Sequence, residues 1–248
     1  MKETIAQYCP WMKLSISEYN WGNDDIQSGA LATAEVLAIF GKYGVDMATV
    51  WTAPTPGSWQ EDAFKLFLDY DGAGSSLLDG VSVNASSPDN DIVSIYGIDT
   101  PQNNRLNLLL FNKNATVGGN SVSIQLSNLT PASSIVKLYG FDRTNRLGAL
   151  PDATLDMNTM NLSLNTSFYS AVLAVVEYQN SAPGLGKPGV GAPSHSVNAG
   201  SHGVNAGSHH SGSILKALNS HANNSASLPT VLSILALSIA FLAFIFTL

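Results

Sequence analysis

The stretch Lys13-Leu14-Ser15-Ile16-Ser17-Glu18-Tyr19-Asn20-Trp21-Gly22 opens the part of the chain that decides the fold. Its first seven residues, Lys13–Tyr19, read as a short strand, and a change of period follows. Ser28–Lys42 (SGALATAEVLAIFGK) is rich in Ala, Leu and Glu, which favour helix, and Gly41 and Gly44 offer a close. Val45–Trp51 is a second strand. Ser58-Trp59-Gln60-Glu61 is then a capping-box pattern, in which the Ser oxygen and the Glu carboxylate satisfy orphan N–H groups of a helix running to about Tyr70. Strand, helix, strand, helix implies two neighbouring parallel strands joined by a right-handed crossover.

Downstream the period changes again. Ser121–Ser127 and Met160–Asn165 alternate apolar and polar residues, while Ile92–Ile98, Leu106–Phe111, Ile135–Phe141 and Ala171–Val176 are more continuously apolar. Turn signals such as Ser87-Pro88-Asp89-Asn90, Gly118-Gly119-Asn120 and Leu129-Thr130-Pro131 separate them. About seven short strands at this spacing predict an antiparallel β-sandwich. The expected order is α/β over 1–75, all-β over 76–180, a linker over 181–227 and a hydrophobic segment over 228–248.

Charge and residue usage narrow the chemistry. All 18 carboxylates lie in residues 1–180, with nine of the 11 Lys and Arg, whereas 181–248 holds only Lys187 and Lys216. So acidic a chain is a poor ligand for nucleic acid, which needs clustered Lys and Arg. The five histidines (His195, His202, His209, His210, His221) all lie in the tail, and Cys9 is the single cysteine. Residues 1–180 therefore exclude Ser-His-Asp and Cys-His nucleophiles, His-based zinc sites and an intrachain disulfide. Their chemistry runs on carboxylates, hydroxyls, amides and aromatics. No metal site or cofactor is expected.

The linker carries a seven-residue repeat, Ser196-Val197-Asn198-Ala199-Gly200-Ser201-His202 followed by Gly203-Val204-Asn205-Ala206-Gly207-Ser208-His209. Such composition predicts a flexible stalk, with no fixed geometry to gather its histidines around a metal. Val231–Leu248 is 18 residues without charge, preceded by the polar Asn219–Ser227. Small residues, a polar spacer and an apolar run match a glycosylphosphatidylinositol (GPI) anchor signal, with Ser220, Asn219 and Asn223 as attachment candidates; a tail-anchored helix is the other reading. Both place the protein at the outer membrane face or cell wall. The first residues, MKETIAQYCPWMKL, lack the apolar core of a signal peptide, so a longer secreted precursor is expected. Six N-x-S/T sequons, at Asn84, Asn114, Asn128, Asn161, Asn165 and Asn223, are glycosylation candidates. Asn161 and Asn165 stand opposite Leu162 and Leu164 in the alternation, on the wet face.

Parallel strands carry function at their C-terminal ends. Glu18-Tyr19-Asn20-Trp21 ends the first strand and Trp51 the second, so a carboxylate and an indole share one rim. A carboxylate can attack an anomeric carbon while an indole stacks on the apolar face of a pyranose. The stretch Lys13–Gly22 resembles the nucleophile strand of glycoside hydrolase family 44, whose pattern is Glu-Tyr-Asn, an aromatic and Gly. The resemblance continues through Ser28–Glu35, Tyr43–Thr49, Phe64–Gly72 and Asp91–Tyr96, over roughly residues 10–178. It implies the last two βα units of a TIM (β/α)₈ barrel followed by a β-sandwich. It also implies retaining endo-β-1,4-glucanase or xyloglucanase chemistry on a β-glucan, with Glu18 as nucleophile, Tyr19 and Asn20 positioning it, and Trp51 lining the sugar subsite. Retention needs a second carboxyl about 5–5.5 Å away. In this family it is a Glu after an Asn, and no Asn-Glu dipeptide occurs in the chain. An inactive partial enzyme is therefore expected; the alternative is a non-enzymatic surface glycoprotein whose sandwich binds carbohydrate or acts as a spacer.

Overall fold

The computed structural model describes residues 2–21, 25–115, 119–179 and 196–202. The element order is α1 (Lys2–Tyr8), β1 (Ser15–Tyr19), α2 (Gln27–Tyr43), β2 (Met47–Val50) and α3 (Trp59–Leu68), then nine strands. These are β3 (Val81–Ser86), β4 (Val93–Thr100), β5 (Arg105–Asn112), β6 (Asn120–Ser127), β7 (Ile135–Phe141), β8 (Gly148–Asp156), β9 (Asn161–Thr166), β10 (Ser170–Glu177) and β11 (Ser196–His202).

β1 and β2 pair in parallel as expected, and among the described residues no third strand joins them. Gly44 closes α2 with φ +62°, a left-handed conformation that glycine adopts without a Cβ penalty; Gly41 stays inside the helix. At α3 the Ser58 Oγ accepts from Glu61 N–H at 3.1 Å. The Glu61 carboxylate reaches back to Gly57 N–H at 2.7 Å, one residue before the cap. The capping box thus spans four residues to its return bond.

The eight strands β3 to β10 form one curled antiparallel sheet, in the order β3-β4-β5-β10-β7-β8-β9-β6. The expected sandwich has two separate sheets; here β8 turns the corner between them. Its first part pairs with β7, and its end pairs with β9 at Leu155↔Leu162 and Asp156↔Asn161. A register shift opposite Lys137, where Pro151 and Asp152 bulge out of the β7–β8 ladder, bends the strand. Pro151, with no N–H to give, fits such a position.

β11 closes the sheet into a barrel by lying antiparallel to β6 and parallel to β3. Ser196–His202 fall within the stretch expected to be flexible stalk, so the stalk reading is corrected there. The physical reason is that β3 and β6 would otherwise be open edges, and a Pro-free segment can supply their missing ladder partner. The rest of the linker, the segment 228–248, the anchor candidates Ser220, Asn219 and Asn223, and sequon Asn223 lie outside the described residues. Among the described residues no helix is long and apolar enough to cross a membrane.

The described residues build two cores. Inside the barrel sit Ile95, Leu106, Leu108, Leu110, Val122, Ile124, Leu126, Val136, Leu162, Val172, Ala174 and Val176. On the outer face of β5, β7 and β10, the alternate residues Leu109, Phe111, Phe141, Ala171, Leu173 and Val175 meet Ala30, Leu31, Ala34 and Ala38 of α2 and Ala63 and Leu66 of α3. This explains the two sequence patterns. β6 and β9 are buried on one face and alternate, whereas β5 and β10 are buried on both and read as unbroken apolar runs. A fully buried Leu contributes about 1.5–3 kcal/mol, so the outer layer fixes the two helices, and through them β1 and β2, on the barrel.

Candidate active site at the C-terminal rim of β1 and β2

The register of the parallel pair holds a detail the sequence hides. Ser15 lies opposite Met47 and Ile16 opposite Ala48, but Tyr19 lies opposite Val50, so β1 carries one residue more than β2 between these points. Such a bulge re-aims side chains and is common beside active sites. Ile16 and Tyr19 are half-buried, while Ser17 and Glu18 between them are both exposed. The Tyr19 ring meets Phe40 of α2 edge-on, with centroids 5.3 Å apart at 80°. Burial pushes the Tyr19 phenol above its ordinary pKa. Tyr19 is therefore an anchor of the strand end on α2, and the bulge frees Glu18 from that packing.

Beyond the paired strands, Trp51 N–H donates to the Tyr19 carbonyl at 2.9 Å. This bond puts Trp51 beside Glu18-Tyr19-Asn20 on one rim, with the Trp51 indole 63% exposed. Trp21, 41% exposed, follows on the same segment. The four residues singled out from sequence are thus brought together. At the opposite end of the pair, the Asp46 carboxylate accepts from Leu14 N–H and the Asp46 N–H donates to Leu14 O, both at 2.8 Å. That exchange fixes the N-terminal end of the ladder and leaves the C-terminal rim to open outward.

Phe40 is the residue that sequence reading missed. It lies on α2 without any local motif, and only its ring contact with Tyr19 in the fold marks it.

The carboxylates on α2 and α3 are tied into structure. Glu35 accepts from Ser94 Oγ at 2.5 Å and pairs with Lys113 at 2.8 Å, which ties α2 to β4 and the end of β5. Glu61 caps α3. Asp62 binds Arg146, whose other guanidinium N–H groups donate to the carbonyls of Gly57 and Ser58 at 2.7 and 2.5 Å. No group of three or more His, Cys, Asp or Glu able to hold a metal occurs among the described residues.

The sequons fall into two sets. Asn84, Asn128 and Asn165 are exposed. Asn161, expected on the wet face with Asn165, is half-buried because its amide donates to Ser123 Oγ at 2.8 Å. Asn114 is half-buried too, its amide donating to Asn120 at 3.3 Å.

No family model matches the chain. Endoglucanase A of Paenibacillus lautus is 31% identical over 184 residues, covering 74% of this chain and 26% of the relative. A beta-mannanase/endoglucanase A of Caldicellulosiruptor saccharolyticus is 36% identical over 143 residues, 57% of this chain and 10% of the relative. Among solved structures, a bifunctional glucanase-xylanase from a metagenome library superposes with a TM-score of 0.65 at 31% identity, over 72% of this chain and 33% of that one. A family-44 endoglucanase produced by Clostridium acetobutylium gives 0.59 at 28%, over 71% and 34%. The chain thus spans about a quarter of the Paenibacillus relative and a third of these structures. Over about seven-tenths of its length the chain is thus similar to endoglucanases of glycoside hydrolase family 44, with the parallel pair and the curled β-sheet in one order.

Proposed function

We propose that the chain is the C-terminal part of a retaining β-1,4-glucanase or xyloglucanase, with Glu18 as its nucleophile. In that reaction a Glu18 oxygen bonds to the anomeric carbon as the glycosidic bond breaks, and the leaving oxygen takes a proton from a second carboxyl; water then releases the sugar from Glu18. The observation that carries the reading is the bulge in β1. It presents Glu18 at the strand end beside Trp51, whose indole offers a stacking face for the attacked sugar. Tyr19 holds the strand end on Phe40, and Asn20 follows on the rim. The names of the relatives, endoglucanases and a glucanase-xylanase, support a glucan-type substrate.

The described carboxylates on α2 and α3 have structural partners, and a full barrel takes roughly 250 residues. The 248-residue chain alone is therefore inactive, and measurable xyloglucan hydrolysis by it would overturn this point. In a chain completed with the remaining barrel, Glu18→Gln lowers kcat by about 10⁴-fold or more, the loss expected for a removed nucleophile. Unchanged turnover would remove Glu18 from the role.

The small share of charged residues, 12% of the chain, and the apolar run 231–248 support an extracellular setting with a GPI anchor at Ser220, Asn219 or Asn223. Phosphatidylinositol-specific phospholipase C should then release the protein from cells; retention after treatment favours a membrane-spanning anchor. The non-enzymatic reading, a surface glycoprotein, is favoured by the lack of an Asn-Glu dipeptide anywhere in the sequence.

A further inference from the structure

A second groove lies away from Glu18, on the outer face of the curled sheet beyond the end of α3. Its volume is about 260 Å³, and Tyr70, Tyr139, Val175, Arg105, Glu177 and Lys137 are among its lining residues, with Asp71 above them. The floor is apolar: Val175 is 5% exposed and packs with the Tyr139 ring in the outer core. Tyr70 and Tyr139 form a corner, with ring centroids 4.9 Å apart and planes tilted by 53°.

The rim is polar and balanced. Arg105 and Glu177 stand opposite each other across the β5–β10 ladder, 3.5 Å apart at their charged atoms. Arg105 also donates to the Tyr70 hydroxyl at 3.3 Å. Both bonds are long for a guanidinium, whose strong bonds run about 2.7–2.9 Å. Its donors are oriented but not saturated. Asp71 is fixed by the backbone N–H groups of Ala73 and Ser75, at 2.9 and 3.1 Å. Burial, with Asp71 and Tyr70 nearby, raises the Tyr139 pKa, so its phenol stays a donor at neutral pH.

Lys137 is paired with Asp152 at 2.6 Å and Arg105 with Glu177 at 3.5 Å, so neither cation of the groove is free to hold an anion. A neutral ligand with alternating donors and acceptors and one apolar face gains on every side, and that description is a pyranose ring. The volume, just below the ~300–1,000 Å³ of drug-sized pockets, suits one ring rather than an extended chain. We propose that this groove is a secondary saccharide-binding subsite, in which Tyr139 stacks on a sugar ring and Arg105 and Glu177 hold its hydroxyls. The choice of a β-glucan as the sugar rests on the proposed function.

The test is a titration of the full chain with cellotriose, and in parallel with xylotriose and mannotriose, followed by amide chemical shifts. Cellotriose should shift Arg105, Tyr139 and Val175 saturably. Tyr139→Ala should weaken this at least tenfold, Tyr139→Phe should keep it within about twofold, and Glu177→Gln should weaken it severalfold. Shifts confined to the Glu18–Trp51 rim, or none with any sugar, overturn the subsite. Groove shifts with xylotriose or mannotriose alone keep the subsite and overturn the glucan reading.

Discussion

Arg146 shows how much one side chain organises here. It joins the Asp62 carboxylate, the Gly57 and Ser58 carbonyls and the face of Trp59, whose ring centre is 4.8 Å away. Asp62 is only 6% exposed, so removing the guanidinium leaves a buried carboxylate without its countercharge. Full loss of a buried partner costs about 3–5 kcal/mol. Because the Arg146 side chain is 43% exposed, Arg146→Ala should cost about 2–3 kcal/mol, read as a lower urea midpoint with an unchanged slope. Arg146→Lys should recover only part, since an ammonium cannot serve the carboxylate and two carbonyls together. The Ser58/Glu61 cap was legible because its partners lie three residues apart. Arg146 and Asp62 lie 84 positions apart, and nothing local in either marks the other. The bulge at Glu18 was hidden for a related reason, since an extra residue in one strand is visible only against its neighbour.

At the scale of elements, periodicity revealed the strands with one clear environment. The alternation of Ser121–Ser127 and the unbroken run Leu106–Phe111 both correspond to strands in the structure. β8 escaped notice because its neighbours change along its length, so its burial follows no period. The turns share another property. Asp156 accepts from the Thr159 hydroxyl and from Asn158 and Thr159 N–H, which hold its carboxyl below the usual range. Gly57 N–H, and then Lys65, do the same for Glu61 at the start of α3. A carboxyl with a lower pKa folded than unfolded stabilises fully above roughly pH 5 and loses that contribution as pH falls through 4 and below. Urea midpoints should therefore be flat from pH 7 to about 5 and drop toward pH 3. Asp156→Asn, which has no proton to take up, should show a shallower drop.

Across the whole molecule, composition and order were legible and closure was not. Among the described residues, eight of the fourteen large exposed apolar residues lie between Tyr8 and Trp51, the stretch of sequence that holds the two parallel strands. Barrel closure by β11 depended on a repeat whose composition alone argues for no structure. The shared strands β5 and β10 have a further consequence. Their inward residues belong to one core and their outward residues to the other, so breaking these two strands apart opens both cores at once. Sub-global opening of the helical layer alone would expose Leu109, Phe111, Leu173 and Val175 together. In hydrogen–deuterium exchange the amides of Leu108–Leu110 and Val172–Ala174 should be the slowest. Their opening free energy should equal that of global unfolding, while β1 and β2 exchange through local fluctuations. Two cores then melt as one cooperative unit, and protection at the centre of β5 and β10 is a direct reading of the stability of the fold.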